Sequence, residues 1–299
     1  MNIMKCLVLS GGSEKGVAYV GILKFLEEMN ILPDIECIYG VSIGAIITML
    51  ITIGYSSIEL EYLVTHINLG ETLLDGQMDL QNLFDKFGLL EPHKVIKLLH
   101  LLFDKKTGIP NITFGQHFAK YKKKIVINGS CISNYECYYF SKDNYPDMPI
   151  IQAVRISISI PLLFEPCRFN DLLFVDGGVY DNFPIYKANQ EYTMDDILGM
   201  LIVMENPGKH EIPDIETYIK SCIRSIDIKF NYLPKSLYSK YSIFIYVSGL
   251  YGVETNVNII KEFITCGYDA IKLYYKTYPE RFKKRIVRLH SIELKDIHP

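Results

Sequence analysis

The feature that most constrains the fold is a unit of strand, glycine-rich turn and helix that occurs twice within the first 53 residues. The first unit has an apolar strand at 6–9, a glycine-rich loop and a helix predicted over 16–30. The second has a strand at 35–39, a turn at 40–44 and an apolar helix. Short apolar strands that alternate with helices are typical of a parallel sheet with helices on its faces. The N-terminal part therefore predicts an α/β fold.

The rest of the chain predicts more elements of the same kind. Strands are expected at 124–128, 138–140, 172–175, 197–204 and 243–247, and helices at 150–158 and 256–275. The segment 56–118 is mostly helical by pattern and is a candidate for a cap over the site. A chain of 299 residues can form one large α/β domain. We expect a catalytic core at 5–188, with strands and helices of 189–299 completing the same domain.

Composition and spacing exclude several classes of protein. A net charge of −3 gives no reason to expect nucleic acid as a partner. The longest apolar stretch, 43–53, is shorter than the roughly 20 residues of a membrane span. Seven cysteines without CxxC spacing suit reduced thiols, and the histidines lack HExxH spacing, so we expect neither a metal nor a cofactor. We expect a cytoplasmic protein, peripheral at membranes, without a signal peptide or transmembrane helix.

The sharpest candidate for catalysis is the GxSxG sequence at 40–44, between a predicted strand and a predicted helix. A serine hydroxyl becomes a useful nucleophile only when it is exposed, aligned and relieved of its proton. Gly40 and Gly44 allow the tight elbow that holds Ser42 above a sheet, and the helix N-terminus favours developing negative charge. The structural alternative is a turn of small residues that lets helix and strand pack closely.

A second glycine-rich turn follows the first predicted strand, and it consists of Gly11, Gly12, Ser13, Glu14, Lys15 and Gly16. In a phosphate-binding loop the lysine follows the last glycine, whereas Lys15 precedes Gly16. A dinucleotide loop needs glycine where this chain has Ser13. The remaining functional interpretation is an oxyanion hole, in which backbone N–H groups stabilise a tetrahedral intermediate. A merely tight turn is the alternative.

The third candidate is Asp176, followed by Gly177 and Gly178 at the end of a predicted strand. Open α/β sheets gather their ligands at the carboxyl ends of the strands. Taken alone, Asp-Gly-Gly is also a common plain turn. The preceding segment, 157–166, is expected to form a rigid lead-in that packs under the site.

The ordered combination of these three motifs with the Ser159-Ile160-Pro161 sequence is similar to patatin-like phospholipases over about residues 5–188. The resemblance implies a three-layer α/β/α sandwich with a mostly parallel central sheet. It also implies a metal-free phospholipase A-type acyl hydrolase, with Ser42 and Asp176 as a catalytic dyad and the loop 11–16 as oxyanion hole. The expected partner is a phospholipid or other acyl lipid, met in transient contact with a membrane surface.

Ser13 departs from the resemblance, because the family's loop usually has glycine at this position. If Ser13 adopts positive φ, the conformation costs roughly 1 kcal/mol. Lys15 keeps the family's basic position; it either attracts a phosphate head group or pairs with an acid, and we favour the structural role.

Two alternatives stay open at this point. One is an α/β-hydrolase with a Ser-Asp-His triad completed by His210, His290 or His298, although GxSxG comes very early for that fold. The other is an inactive lipid-binding or scaffold protein, which the intact Ser42 and Asp176 argue against.

Overall fold

The computed structural model describes residues 4–67, 80–90, 92–204, 238–247 and 256–282, together with 211–212, 218 and 221–222. The strands are β1 Cys6–Leu9, β2 Cys37–Gly40, β3 Gly88–Leu90, β4 Lys124–Cys131, β5 Glu136–Phe140, β6 Leu162–Phe164, β7 Cys167–Phe169, β8 Leu172–Asp176, β9 Ile197–Met204 and β10 Ser242–Val247. The helices are α1 Ala18–Glu28, α2 Ile43–Thr52, α3 Ser57–His66, α4 Leu80–Lys86, α5 His93–Thr107, α6 Phe114–Tyr121, α7 Ile150–Ser157, α8 Gly178–Asp181, α9 Ile185–Ala188 and α10 Val257–Thr277.

Eight of the described strands form one sheet in the order β10-β9-β1-β2-β4-β8-β7, with β5 paired to β4 outside this path. The neighbours from β10 to β4 are parallel. Strands β5, β7 and β8 add antiparallel pairs at the other end. A separate two-stranded parallel sheet joins β3 and β6. The sheet is thus mostly parallel, as the sequence predicts.

Both faces of the large sheet are buried. Along β1, Leu7 and Leu9 belong to one apolar core, and the alternating Cys6 and Val8 belong to another. Helices α1, α2, α7 and α10 contribute to the first core, and α9 contributes to the second. Because successive side chains of a strand point to opposite faces, the two cores lie on opposite sides of the sheet. The predicted α/β/α sandwich is confirmed.

The segment predicted as a cap, 56–118, is mostly helical where it is described, while 68–79 and 91 lie outside the described residues. Its helix α3 begins with a capping box between Ser56 and Glu59, which explains its sharp start. Leu60, Val95 and Phe103 are buried in the larger core. These helices are therefore part of the main fold. Strand β3 and helix α4 depart from this arrangement, because Leu83 of α4 packs against the small apolar cluster that β3 forms with β6.

The later strands lie within the same sheet as the early ones. Strand β9 pairs with β1, and Cys6 stands opposite Ile197. Helix α10 packs along α1, where Tyr268 donates a hydrogen bond from its hydroxyl to Glu28 Oε2 at 2.7 Å. Among the residues that the structure describes, no helix has the length and apolar character needed to cross a membrane.

Candidate active site

Ser42 lies in a strained turn between β2 and α2. Its φ of 52° and ψ of −120° fall outside the regions that non-glycine residues favour, as expected of a nucleophile elbow. The turn is stabilised on both sides. The Ser42 N–H donates to Ser157 Oγ at 2.9 Å, and the Ser42 carbonyl accepts from the N–H of Ala45 at 2.9 Å. The side chain is only 7% exposed.

Gly44 brings the start of α2 against the end of β1. A Cβ at this position would lie 2.6 Å from the Leu9 carbonyl oxygen and 2.7 Å from that of Ser10. Backbone atoms cannot yield as a flexible side chain can, so only glycine allows this approach. The elbow therefore lies directly beside the residue that precedes the glycine-rich loop.

The loop 11–16 lies against the elbow. A Cβ on Gly11 would be 3.3 Å from Ser42 Cβ. Two of its N–H groups are engaged, since Gly11 donates to Asn182 Oδ1 at 3.1 Å and Lys15 donates to the Gly12 carbonyl at 3.1 Å. The N–H of Gly12 donates to none of the described residues, and Gly12 is half-buried. The Gly12 N–H is therefore a candidate donor to a group bound beside the elbow.

Two further residues of the loop bear on the predictions from sequence. Ser13 has a φ of 50°, so it adopts the positive φ for which glycine is favoured. Lys15 is 1% exposed. Burial of this extent favours the structural role for Lys15, because a phosphate head group cannot reach it without rearrangement.

Asp176 ends β8 with its side chain 6% exposed. Its N–H donates to the Ser159 carbonyl at 2.8 Å, and its Oδ1 accepts from the N–H of Gly178 at 2.7 Å. Gly177 lies beside β4, where its carbonyl accepts from Asn128 Nδ2 at 3.1 Å. The turn that follows β8 is thus held from both sides, which fixes the direction of the carboxylate.

The sheet itself brings Ser42 and Asp176 to the same place. Ile127 of β4 pairs with Gly40 on one side and Phe140 on the other. Gly129 pairs with Tyr138 on the β5 side, so its partner Asp176 lies on the same side as Gly40. Strands β2 and β8 therefore share one edge of β4, and their carboxyl ends approach each other along it.

The end of α7 and the residues just after it join the elbow to the turn that bears Asp176. Ser157 accepts the Ser42 N–H with its hydroxyl and the Gly177 N–H with its carbonyl, the latter at 3.4 Å. Two residues later, Ser159 accepts the Asp176 N–H. Ser157 and Ser159 are both fully buried. The segment predicted as a rigid lead-in thus connects the elbow to the turn after β8.

Asn182 makes the corresponding connection to the loop 11–16. Its Oδ1 accepts from Gly11, and its backbone carbonyl lies 3.3 Å from the same N–H. A Cβ on Gly178 would lie 2.7 Å from this Oδ1, so Asn182 stands between the loop and the Asp176 turn. The sequence placed Ser157 within the rigid lead-in but indicated no individual role for Ser157 or Asn182. The type of residue gives no signal here, because both roles depend on contacts between distant segments.

Next to this turn, Asp181 is half-buried and hydrogen-bonded. Tyr139 donates to its Oδ2 at 2.6 Å. Burial raises the pKa of Asp181, and the hydrogen bond from Tyr139 opposes that shift. This carboxyl supports the turn from the side of β5.

Of the histidines that the structure describes, His117 is the buried one. Its Nε2 lies 3.1 Å from Thr52 Oγ1, at the end of α2 opposite Ser42. A helix of this length spans about 15 Å, which is too far for His117 to act as base for Ser42. His210, His290 and His298, the candidates for a triad, lie outside the described residues.

A polar recess of about 340 Å³ lies away from these motifs, at β5 and the start of β4. Lys124, in its lining, forms ion pairs with Asp143 at 2.6 Å and Glu191 at 2.5 Å. The charge of Lys124 in this recess is thus already neutralised. Across the described residues, no group of three or more histidine, cysteine or acidic side chains is arranged to hold a metal.

Comparison with known proteins gives consistent matches. The family model described as "Patatin-like phospholipase" matches residues 7–189. The uncharacterized protein R571 of Acanthamoeba polyphaga mimivirus is 33% identical over 204 residues, which are 68% of this chain and 67% of that protein. The probable lipid hydrolase 463L of Invertebrate iridescent virus 6 is 34% identical over 184 residues, covering 60% of this chain and 62% of the relative. The chain thus spans about two thirds of the length of these relatives.

Solved structures share the fold at low identity. VipD from Legionella pneumophila superposes with a TM-score of 0.63 at 17% identity, over 92% of this chain and 67% of that one. ExoU of Pseudomonas aeruginosa, solved in complex with SpcU, gives a TM-score of 0.52 at 17% identity, over 91% of this chain and 53% of that one. At such identities the likeness extends to the fold alone.

Proposed function

Because the chain belongs to the patatin-like phospholipase family, a family of lipid hydrolases, we propose that it cleaves fatty-acyl esters of lipids through a Ser42–Asp176 dyad. The observation that carries the proposal is the position of Ser157. Its hydroxyl and carbonyl accept N–H groups from Ser42 and Gly177, which joins the nucleophile to the turn that bears Asp176. The similarity to a probable lipid hydrolase supports a lipid substrate, either a phospholipid or another acyl lipid.

In the proposed first step, Ser42 Oγ attacks the ester carbonyl carbon and Asp176 accepts the hydroxyl proton. The carbonyl oxygen becomes an oxyanion beside the loop 11–16. The N–H of Gly12 donates to it, and the start of α2 adds the positive end of its helix dipole. The N–H of Gly11 is engaged by Asn182, so its part is to hold the loop in place.

The tetrahedral intermediate then releases the alcohol portion of the lipid, which takes the proton from Asp176. A water molecule attacks the acyl-enzyme, and Asp176 accepts the proton of that water. The second tetrahedral intermediate collapses to the fatty acid, and Ser42 regains its proton. One carboxylate thus serves as base and acid in turn, and neither a metal nor a cofactor takes part.

The proposal extends to the organisation and location of the protein. We assign the catalytic core to 5–188 and let 189–299 complete the same domain, because β9 pairs with β1 of the core. We place the enzyme in the cytosol, since seven cysteines without CxxC spacing suit a reducing compartment. Its contact with membrane surfaces is transient and serves access to substrate.

The nucleophile is tested by Ser42→Ala. The variant should remain folded and lose nearly all hydrolysis of a soluble p-nitrophenyl ester, together with labelling by a fluorophosphonate. A fluorophosphonate reports the nucleophile itself, because it phosphonylates only an activated serine. More than a small residue of activity in folded Ser42→Ala would remove the assignment.

The base is tested by Asp176→Asn, which keeps the shape of the side chain but cannot accept the proton. Activity should fall as far as in Ser42→Ala. Replacing His210, His290 and His298 one at a time by Gln should leave most of it. In a triad, loss of the histidine costs several orders of magnitude, so a collapse in one folded histidine variant would establish the α/β-hydrolase alternative instead. A parent protein that resists fluorophosphonate would favour the scaffold alternative.

A further inference from the structure

Three large apolar side chains are exposed beside the segment that holds Asp176. Phe84 is 76%, Phe87 59% and Leu162 44% exposed. Strands β3 and β6 pair with Gly88 opposite Leu162, and Phe87 immediately precedes Gly88. Phe84 lies on α4, and Phe87 is the single residue that connects the end of α4 to β3, three residues further along the chain. We call these three residues the apolar rim.

The backbone of the rim is as unusual as its exposure. Phe87 has a φ of 63° and Leu162 a φ of 66°, in the left-handed region where bulky residues are uncommon. Glycine or asparagine would suit both positions better. Burial in the core does not compensate the backbone strain at either position, since both side chains are exposed. The described part of the fold therefore gives no reason for apolar residues at these positions, which points to a contact with a partner.

The rim is close to the proposed active site. Leu162 follows Ser159 by three residues, and the carbonyl of Ser159 accepts the N–H of Asp176 at 2.8 Å. Three residues span at most about 11 Å. Between them, Ile160 is partly buried against the cluster of β3 and β6. A surface in contact with the rim is thus in contact with the surroundings of the dyad.

The charges around the rim do not favour an anionic partner. Lys86 lies 3.4 Å from Glu165 and is neutralised by it. Asp85 accepts a hydrogen bond from Gln81 and adds a negative charge. These charges, on described residues beside the rim, thus give no excess of positive charge. Exposed apolar side chains in such a setting suit insertion among acyl chains rather than attraction to anionic head groups.

We propose that the apolar rim is the surface through which the protein enters a lipid–water interface, and that its occupant is a zwitterionic phospholipid surface. Phe84, Phe87 and Leu162 leave water for the acyl region, and this attachment presents ester groups to Ser42. The inference rests on the proposed function in one respect, namely that contact with lipid brings substrate to the active site. The contact itself is measurable without catalysis.

The experiment uses Phe87→Asn and Leu162→Asn, because asparagine tolerates the left-handed conformation and both variants should fold. Tyr135→Asn is the matched control, since Tyr135 is 78% exposed with a φ of 60° in the turn between β4 and β5. Each substitution is made in the full chain, alone and with Ser42→Ala. Sedimentation with phosphatidylcholine vesicles measures binding in the Ser42→Ala background. Hydrolysis of a soluble ester and of vesicles measures activity.

Each rim substitution should lower vesicle binding and vesicle hydrolysis about tenfold and leave hydrolysis of the soluble ester within twofold of the parent. Tyr135→Asn should change neither quantity. Unchanged binding in both rim variants would overturn the proposal, as would binding that requires anionic lipid and disappears in salt. Loss of soluble-ester hydrolysis in the parent would refute the proposed function alone, because sedimentation still decides whether the rim binds lipid.

Discussion

The buried hydrogen bond from the Ser42 N–H to Ser157 Oγ makes Ser157→Ala the most informative single substitution. The substitution removes one oxygen from a fully buried position and leaves the Ser42 N–H without its acceptor. A buried donor that loses its partner costs about 1–3 kcal/mol. In a domain of this size, each kcal/mol lowers the melting temperature by roughly 2–4 °C. A folded but less stable protein is expected.

The effect on catalysis follows from the strain at the elbow. Ser42 has a positive φ, which costs a non-glycine residue about 1–2 kcal/mol and needs support from its surroundings. Without Ser157 Oγ, the turn can relax toward an ordinary conformation and move Ser42 Oγ. A displacement of about 1 Å at a reacting atom costs on the order of 100-fold in rate. We therefore expect kcat to fall about 10- to 100-fold.

The Michaelis constant should stay within twofold, because Ser157 is fully buried and does not contact substrate. The assay is steady-state hydrolysis of a soluble p-nitrophenyl ester, combined with thermal unfolding followed by circular dichroism. Ser157→Cys retains a weaker acceptor of similar size and should give an intermediate kcat.

Ser242→Ala is the matched control. Ser242 is 1% exposed on β10, and its hydroxyl makes no hydrogen bond to any residue in the described part of the chain. Its removal should leave kcat unchanged. A kcat within twofold of the parent in folded Ser157→Ala would refute the reasoning, and so would an equal loss in Ser242→Ala.

Two further predictions concern the loop and acid stability. Ser13→Gly should raise the melting temperature by about 1–2 °C and retain activity. Relief of the positive φ stabilises the native state by more than the roughly 0.4–1 kcal/mol that glycine costs through the greater freedom of the unfolded chain. A lower melting temperature would show that the Ser13 hydroxyl contributes more to stability than the strained φ costs. Burial lowers the pKa of His117 from 6.5 to about 4. As the pH falls, the unfolded chain therefore binds a proton before the native protein does. The stability that is present above pH 6.5 is lost as the pH falls toward 4. In urea unfolding, the free energy of unfolding of the parent should fall by about 2 kcal/mol between pH 8 and pH 5, and this loss should be absent in His117→Gln. Both proteins should hydrolyse ester equally. Equal loss of stability in acid in the two proteins would contradict the role assigned to His117.

Sequence patterns predicted the regular part of the fold well. Strands β1 and β9 have the predicted boundaries, and α10 extends the predicted helix 256–275 by two residues at its C-terminal end. These elements have strong apolar periodicity of their own. The helix predicted from residue 16 begins instead with a 3₁₀ turn at Ser13–Val17, because the loop must turn back against the elbow before α1 starts.

Strands β3, β6 and β7 were not predicted. Each has three residues; β3 and β6 pair with each other from distant parts of the chain, and β7 forms a short hairpin with β8. A segment of three residues is too short to show a periodic pattern of apolar residues. Its state is decided by tertiary contacts.

The candidate site divides in the same way. The glycines of GxSxG and of the loop 11–16 indicate tight turns, so the sequence alone predicts both Ser42 and this loop as candidate site residues. Ser157 and Asn182 act through one hydroxyl and one amide oxygen on segments more than 100 residues from their partners. Such contacts leave no trace in spacing or composition, and only the folded chain reveals them.

The shared edge of β4 has a consequence for how this fold can vary. The strand that leads to the proposed nucleophile and the strand that ends in the proposed base meet the same strand at Ile127 and Gly129. The ends of the two strands are therefore separated along β4 by two residues, or about 6.6 Å. Connections elsewhere can lengthen or shorten without altering that step, whereas one residue inserted into it would turn the following side chains to the opposite face. Residues 127–129 thus fix the spacing between the strand ends that lead to the two proposed catalytic residues.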